Sequence, residues 1–314
     1  PSPQGGGETD LRKVAWLARA HAITILPAVT SLQALRRVGR PSAARKPILG
    51  IGNPLLDGPD ARYAARARAA RARQRCRHTP FQHVAALVGL GSPVAPIATR
   101  GGLAALDHLR AQVPLPETAD ELCVVARLAG ADPDAVRLGT RASEREVKRA
   151  SADGTLAEHR ILHFATHGAL AGELDGTHEP GLILTPPERP SAEDDGYLSA
   201  SEIAGLKLDA DWVILSACNT AAGGADGAEA LSGLARAFFY AGARALLVSH
   251  WAVNSEATVT LVTTAMQAMA KDARVGRAEA LRRAMLAMID EGEPDEARPA
   301  SWAPFVVVGE GAAR

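Results

Sequence analysis

The chain has 314 residues, 47% of them apolar, which is enough to fill the core of one large α/β domain or two modest ones. Lys and Arg total 35 and Asp and Glu total 35, so no net field draws the chain to nucleic acid or to an anionic membrane, and partners must be recognised locally. The three cysteines, Cys76, Cys123 and Cys218, are dispersed with no C-x-x-C pair, which argues against a disulfide framework or a structural zinc site and for a reducing, cytoplasmic setting.

No uninterrupted apolar run reaches the ~18 residues of a membrane-spanning helix, and no secretion leader is evident. The first residue is Pro1, not Met, so the chain is expected to be a piece of something longer. Residues 1–10 are polar and Gly-rich and read as disordered. Helix signals follow from Leu11 to Ala20, then a strand over His21 to Leu26 that stops at Pro27. Lys46 to Ile51 is a short apolar strand closed by Gly52-Asn53-Pro54, strong turn chemistry.

Ala61 to His78 is an Ala/Arg-rich insert with Arg62, Arg66, Arg68, Arg71, Arg73, Arg75 and Arg77 and no acid. With no aromatic platform between the charges, it reads as a solvated helix in a loop rather than a nucleic-acid contact. Beyond it, Glu117 to Leu128 carries Leu122, Val125 and Leu128 on one helical stripe. Ala135 to Leu138 reads as a strand and Ala142 to Ala150 as a charged surface helix.

From Arg160 the alternation is regular. Strands are expected at Arg160 to Ala165, Gly181 to Leu184, Trp212 to Ala217 and Arg244 to Ser249, and helices at Ser199 to Gly205, Ala228 to Ala241 and Ser255 to Met269. Ser199-Ala-Ser-Glu202 has the spacing of a capping box, and Gly242 stands where a helix should stop. A helix from Arg277 to Ile289 leads to a last strand, Phe305 to Val308. The expected fold class is α/β, a three-layer α/β/α sandwich with a mostly parallel sheet.

Two strand ends carry the chemistry. Trp212-Val-Ile-Leu-Ser-Ala-Cys218 leaves the core into Gly223-Gly224, and Ile161-Leu-His-Phe-Ala-Thr-His167-Gly168 ends on a histidine. Neighbouring parallel strands bring their carboxyl ends to one crevice, so a thiol and an imidazole can meet there as nucleophile and acid/base. An imidazolium or a helix N-terminus would raise the small thiolate fraction of Cys218. Gly168 lets a substrate approach closely, and its N–H could join that of Cys218 in an oxyanion hole.

Cys76 and Cys123 lack such a setting and are expected to be inert. His163 and His167 are four apart, which on a strand is about 13 Å, too far to grip one ion, so no metal is expected. His163 reads as a packed, hydrogen-bonded histidine, and His178 and His250 as bystanders on spacing alone. No P-loop, nucleophile elbow or dinucleotide fingerprint occurs, and no cofactor is expected.

Taken together, His163-Phe-Ala-Thr-His167-Gly168, Leu215-Ser-Ala-Cys218-Asn-Thr-Ala, Gly233-Leu-Ala-Arg-Ala-Phe238, Ser249-His-Trp251-Ala-Val253 and Trp302-Ala-Pro-Phe305-Val-Val-Val-Gly309 resemble the CHAT family of caspase-like cysteine peptidases. The resemblance runs over residues 11–309, with 310–314 as a tail. It implies a caspase/hemoglobinase-like sandwich and peptide-bond hydrolysis through a thioester acyl-enzyme, with His167 and Cys218 at the dyad positions and Ser216, Ser249, His250, Trp251 and Val253 bordering the substrate cleft.

His250 stands where the family often has an aliphatic residue. Ser216 is neutral where related metacaspases carry an acid, so a basic preference finds no support at that position. The implied partners are a protein or peptide substrate and a tetratricopeptide-repeat region upstream or a regulatory protein. The rival classes are a silent interaction module with the same fold, and an effector regulated by a bound partner or nucleic acid.

Overall fold

The computed structural model describes residues 10–26, 41–76, 97–100, 103–104, 106–169, 174–175, 179–216, 233–251 and 254–312. The strands are β1 (Thr24–Ile25), β2 (Lys46–Gly52), β3 (Ile97–Arg100), β4 (Leu103–Ala104), β5 (Val136–Leu138), β6 (His159–Ala165), β7 (His167–Ala169), β8 (Leu174–Asp175), β9 (Gly181–Ile183), β10 (Tyr197–Ser199), β11 (Trp212–Leu215), β12 (Ala245–Ser249) and β13 (Phe305–Gly309). The helices are α1 (Leu17–Ala20), α2 (Ala64–Ala72), α3 (Leu106–Arg110), α4 (Glu117–Leu128), α5 (Glu144–Ala152), α6 (Ala200–Ala204), α7 (Gly233–Ala241), α8 (Ser255–Lys271), α9 (Arg277–Glu291) and α10 (Pro299–Trp302).

A seven-stranded sheet in the order β1-β13-β12-β11-β6-β2-β5 forms the middle layer. From β12 to β5 every neighbour pair is parallel; β13 runs antiparallel to β12, and β1 follows β13. The central strands are apolar on both faces because each face is covered. Trp212 and Ile214 of β11 join α4, α8 and α9 in one core, while Val213 and Leu215 join α5, α6 and α7 in another. Period-two alternation thus sends consecutive side chains into different layers. At ~25 cal/mol per Å², burial of these aromatic and aliphatic side chains is the dominant stabilising term on both faces.

Several expectations match closely. The helix over Glu117 to Leu128 has the anticipated bounds, and Ser199 and Glu202 form the reciprocal capping box at the start of α6. Gly242 closes α7 at φ 115°, where a Cβ would stand 2.3 Å from the Leu208 carbonyl oxygen. Others differ. The run Gly181 to Leu184 is not a member of the main sheet: β9 pairs antiparallel with β7 and β10 in a small separate sheet. A short apolar run cannot by itself show which sheet it joins. Leu11 to Ala20 is a single 3-10 turn followed by the one-turn helix α1. The first part of the helix anticipated from Ala228 lies outside the described residues.

Two corrections concern the cysteines and the Arg-rich segment. Cys76 and Cys123 form a disulfide, so they are not isolated thiols, and cysteine usage does not argue for a reducing compartment. Their separation of 47 residues hid a spatial contact between the end of the Arg-rich segment and α4. Nor is that segment a free, solvated insert. Ala67 and Ala70 of α2 are buried, and the Asn53 side chain donates to the Ala70 and Arg73 carbonyls at 2.9 Å each, satisfying the helix C-terminus. No helix among the described residues is long and apolar enough to cross a membrane.

Candidate active site

Three parallel strands end side by side. Gly52 of β2 lies opposite Ala165 of β6, Leu215 of β11 lies opposite Phe164, and the Ser216 N–H donates to the Phe164 carbonyl at 3.1 Å. The glycines of β2 let α4 lie close over this edge: a Cβ at Gly52 would stand 2.4 Å from the Ala165 oxygen and 2.8 Å from Leu122. α4 and the segment preceding it therefore sit directly against the carboxyl end of β6.

At Thr166 the chain leaves β6, its hydroxyl donating to the Ile183 carbonyl, and enters β7. His167 thus sits at the junction of the main and small sheets, 6% exposed. Its Nε2 is 2.7 Å from the Val113 carbonyl oxygen. A carbonyl only accepts, so the proton is on Nε2 and the lone pair of the neutral ring is on Nδ1. Burial lowers the proton affinity of His167 below the ordinary imidazole value; the Val113 hydrogen bond and Glu117 oppose this, and Arg66 adds to it. The resting ring is neutral, an acceptor at Nδ1.

A second polar group lies beneath. His163 is fully buried, and its Nε2 lies 2.8 Å from Ser216 Oγ and 2.8 Å from Glu121 Oε1. One N–H cannot serve two acceptors fully. Ser216 is the aligned partner, and Glu121 acts as a charge contact; neither its Oε1 nor His163 Nδ1 has a hydrogen-bond partner among the described residues. His163 is the packed, hydrogen-bonded histidine expected, and Ser216, 9% exposed, holds it across the strands.

The family model of the CHAT domain matches residues 3–310. The chain belongs to the CHAT domain family. Tetratricopeptide repeat protein 28 of Mus musculus is 26% identical over 230 residues, 62% of this chain and 9% of that protein. The CHAT domain here therefore spans less than a tenth of that relative. Among solved structures, the Arg-specific cysteine proteinase gingipain R is similar at 11% identity with a TM-score of 0.42, over 62% of this chain and 42% of that one.

The remaining anticipated site residues of the CHAT domain separate by environment. Gly168 is buried within β7, opposite Leu182. Ser249 is fully buried at the end of β12; His250 is half-buried, its N–H donating to the Pro304 carbonyl, and burial lowers its proton affinity. Trp251 is 44% exposed. Cys218, Val253 and His178 lie outside the described residues. No cluster of three or more His, Cys, Asp or Glu among the described residues could hold a metal.

Four contributors escaped the sequence: the Val113 carbonyl, Arg66, Glu117 and Glu121. A backbone acceptor leaves no mark in composition. Glu121 did leave one, as an acid beside Leu122 on the apolar stripe of α4, where an unpaired charge is costly.

Proposed function

We propose that this CHAT domain is a cysteine endopeptidase with a caspase-like site in which Cys218 and His167 form the dyad. The observation that carries the proposal is the state of His167: its Nε2–H is committed to a backbone carbonyl, its Nδ1 is a free base, and the parallel neighbour β11 ends just before Cys218. Two peptide units hold the Cα of Cys218 within about 7 Å of that of Ser216.

In the proposed cycle Nδ1 takes the thiol proton as sulfur attacks the scissile carbonyl. The N–H groups of Gly168 and Cys218 stabilise the oxyanion, and Nδ1 passes the proton to the leaving amine as the C–N bond breaks, leaving a thioester. Water, activated by the same nitrogen, then releases the acid and restores the thiol. Neither metal nor nucleotide enters these steps. Ser249, His250, Trp251 and Val253 are proposed to border the cleft, with exposed Trp251 offering an apolar face to the peptide.

The mouse relative, a tetratricopeptide repeat protein, favours one addition: the domain acts beside a tetratricopeptide-repeat region that selects substrate or restrains the site. The test is digestion of a peptide library by the wild type, Cys218→Ala and His167→Ala. Cleavage is expected for the wild type, with losses of about 100-fold or more in both variants. Equal cleavage by all three would remove Cys218 and His167 from the chemistry, and no cleavage by the wild type would leave an interaction module as the function.

A further inference from the structure

The Arg-rich segment takes no part in the proposed chemistry, yet one of its side chains reaches the site. We infer that Arg66 is a positioning residue for His167, fixing the segment 113–117 so that the Val113 carbonyl stays aimed at Nε2–H. The inference rests on His167 being the acid/base.

The segment needs an outside donor. Pro114 and Pro116 have no N–H, so this stretch is rich in carbonyls and poor in donors. Each carbonyl from Val113 to Leu115 has a different donor. Val113 accepts from His167 at 2.7 Å, Pro114 from Arg66 Nε at 3.0 Å, and Leu115 from the Thr118 hydroxyl at 2.7 Å. Arg66 Nη2 also reaches both Glu117 oxygens, at 2.7 and 2.8 Å. The planar guanidinium thus spans the two residues flanking the turn into α4, a geometry that one ammonium cannot reproduce.

Arg66 is itself held. Asn53 caps the end of α2 through its side chain and donates its own N–H to Thr118 Oγ1 at 3.0 Å, tying α2, β2 and α4 at one residue. The Cys76–Cys123 bond closes the same two elements covalently. The other arginines of the segment with described partners differ. Arg62 and Arg71 pair with Asp60 and Asp57 at exposed positions and Arg73 with Asp120 at 36% and 46% exposure, whereas the Arg66–Glu117 pair is 23% and 15% exposed.

Among the described residues the charges facing His167 are Arg66 from α2 and Glu117 from α4, with Glu256 of α8 adjoining that pair and Glu296 beyond it. Arg66 disfavours and Glu117 favours the imidazolium. Removing one partner leaves the other uncompensated, so the two removals shift His167 in opposite directions. Simple loss of packing would shift both the same way.

The test is histidine-nitrogen NMR together with peptide hydrolysis on the full chain for the wild type, Arg66→Ala, Arg66→Lys, Glu117→Gln and Arg62→Ala. In the wild type His167 is expected as the Nε2–H tautomer. Arg66→Ala should reduce that tautomer, raise the titration midpoint and lower kcat about 10- to 100-fold with little change in KM. Arg66→Lys should recover part of the loss, Glu117→Gln should lower the midpoint, and Arg62→Ala should match the wild type.

An unchanged tautomer and midpoint in Arg66→Ala, or same-direction shifts in Arg66→Ala and Glu117→Gln, would overturn the inference. Should Arg66→Ala not fold, the neutral and longer Arg66→Gln takes its place against Glu117→Gln and gives the same opposed readout. The NMR arm decides Arg66 even if no peptide is cut, so failure of the brace and failure of the endopeptidase proposal give different results.

Discussion

Glu121 and Glu144 are each 1% exposed, one on either side of the same sheet, and their surroundings are opposite in kind. Glu144 Oε2 accepts N–H bonds from Asp195 and Gly196 at 2.7 and 2.8 Å, and its Oε1 meets the Lys148 ammonium. Lys148 goes on to Glu202 at 2.7 Å and the Glu193 carbonyl at 2.9 Å. Burial still pushes the Glu144 carboxyl up to about 7, against the pull of these donors. Among the described residues Glu121 has only His163, whose N–H is shared with Ser216, and an oxygen and a ring nitrogen of the pair are left over. A saturated network closes a fold, here α5, α6 and the chain before β10; an unsaturated one beside the strand ends retains polar capacity where chemistry is proposed.

The comparison breaks first at the disulfide, which ties the helix of Glu121. Closing a loop of this length is worth about 4 kcal/mol by chain entropy. Cys123→Ser is expected to lose that much in urea unfolding, with reductant having no further effect on the variant; a loss under about 1 kcal/mol would show that the bond adds little to the noncovalent clamp.

Lys148→Met comes next. It strips Glu144 of its cation and is expected to cost about 3 kcal/mol at alkaline pH, with hydrolysis per folded molecule unchanged. Altered hydrolysis would put this network in the site as well.

Glu121→Gln should sharpen the contrast, because removing a charge that lacks aligned partners costs under about 1 kcal/mol of stability. It should still alter hydrolysis about fivefold, ~1 kcal/mol in activation free energy, because the His163 N–H then serves Ser216 alone. His163→Ala, which removes the bond to Ser216 altogether, is expected to lower activity. Full activity in both variants would make the pair structural only.

The smallest effect is in pH. The lowered affinity of His167 keeps the base neutral below the ordinary value of 6.5, so the acid limb of kcat/KM should fall below it. The sign for stability is the same: the contribution is present above the unfolded value and is lost as pH falls through the folded one. A limb at or above about 6.5 would contradict a buried, neutral His167.

Chain order and local chemistry already contain the strands β6, β11 and β12, the helices α4 and α6, and both ends on which His167 and Cys218 stand. Periodicity, capping and glycine stops are local properties, fixed by neighbours along the chain, and they carry the α/β class and the family motifs with them. Only the tertiary structure decides that β9 leaves the main sheet, that Cys76 meets Cys123, that Val113 orients His167, and that Arg66 and Glu121 approach the site. Each is a contact between segments distant in sequence, set by how β2, β6 and α4 pack, and a backbone carbonyl or a distant partner leaves no periodic trace in the residues that receive it.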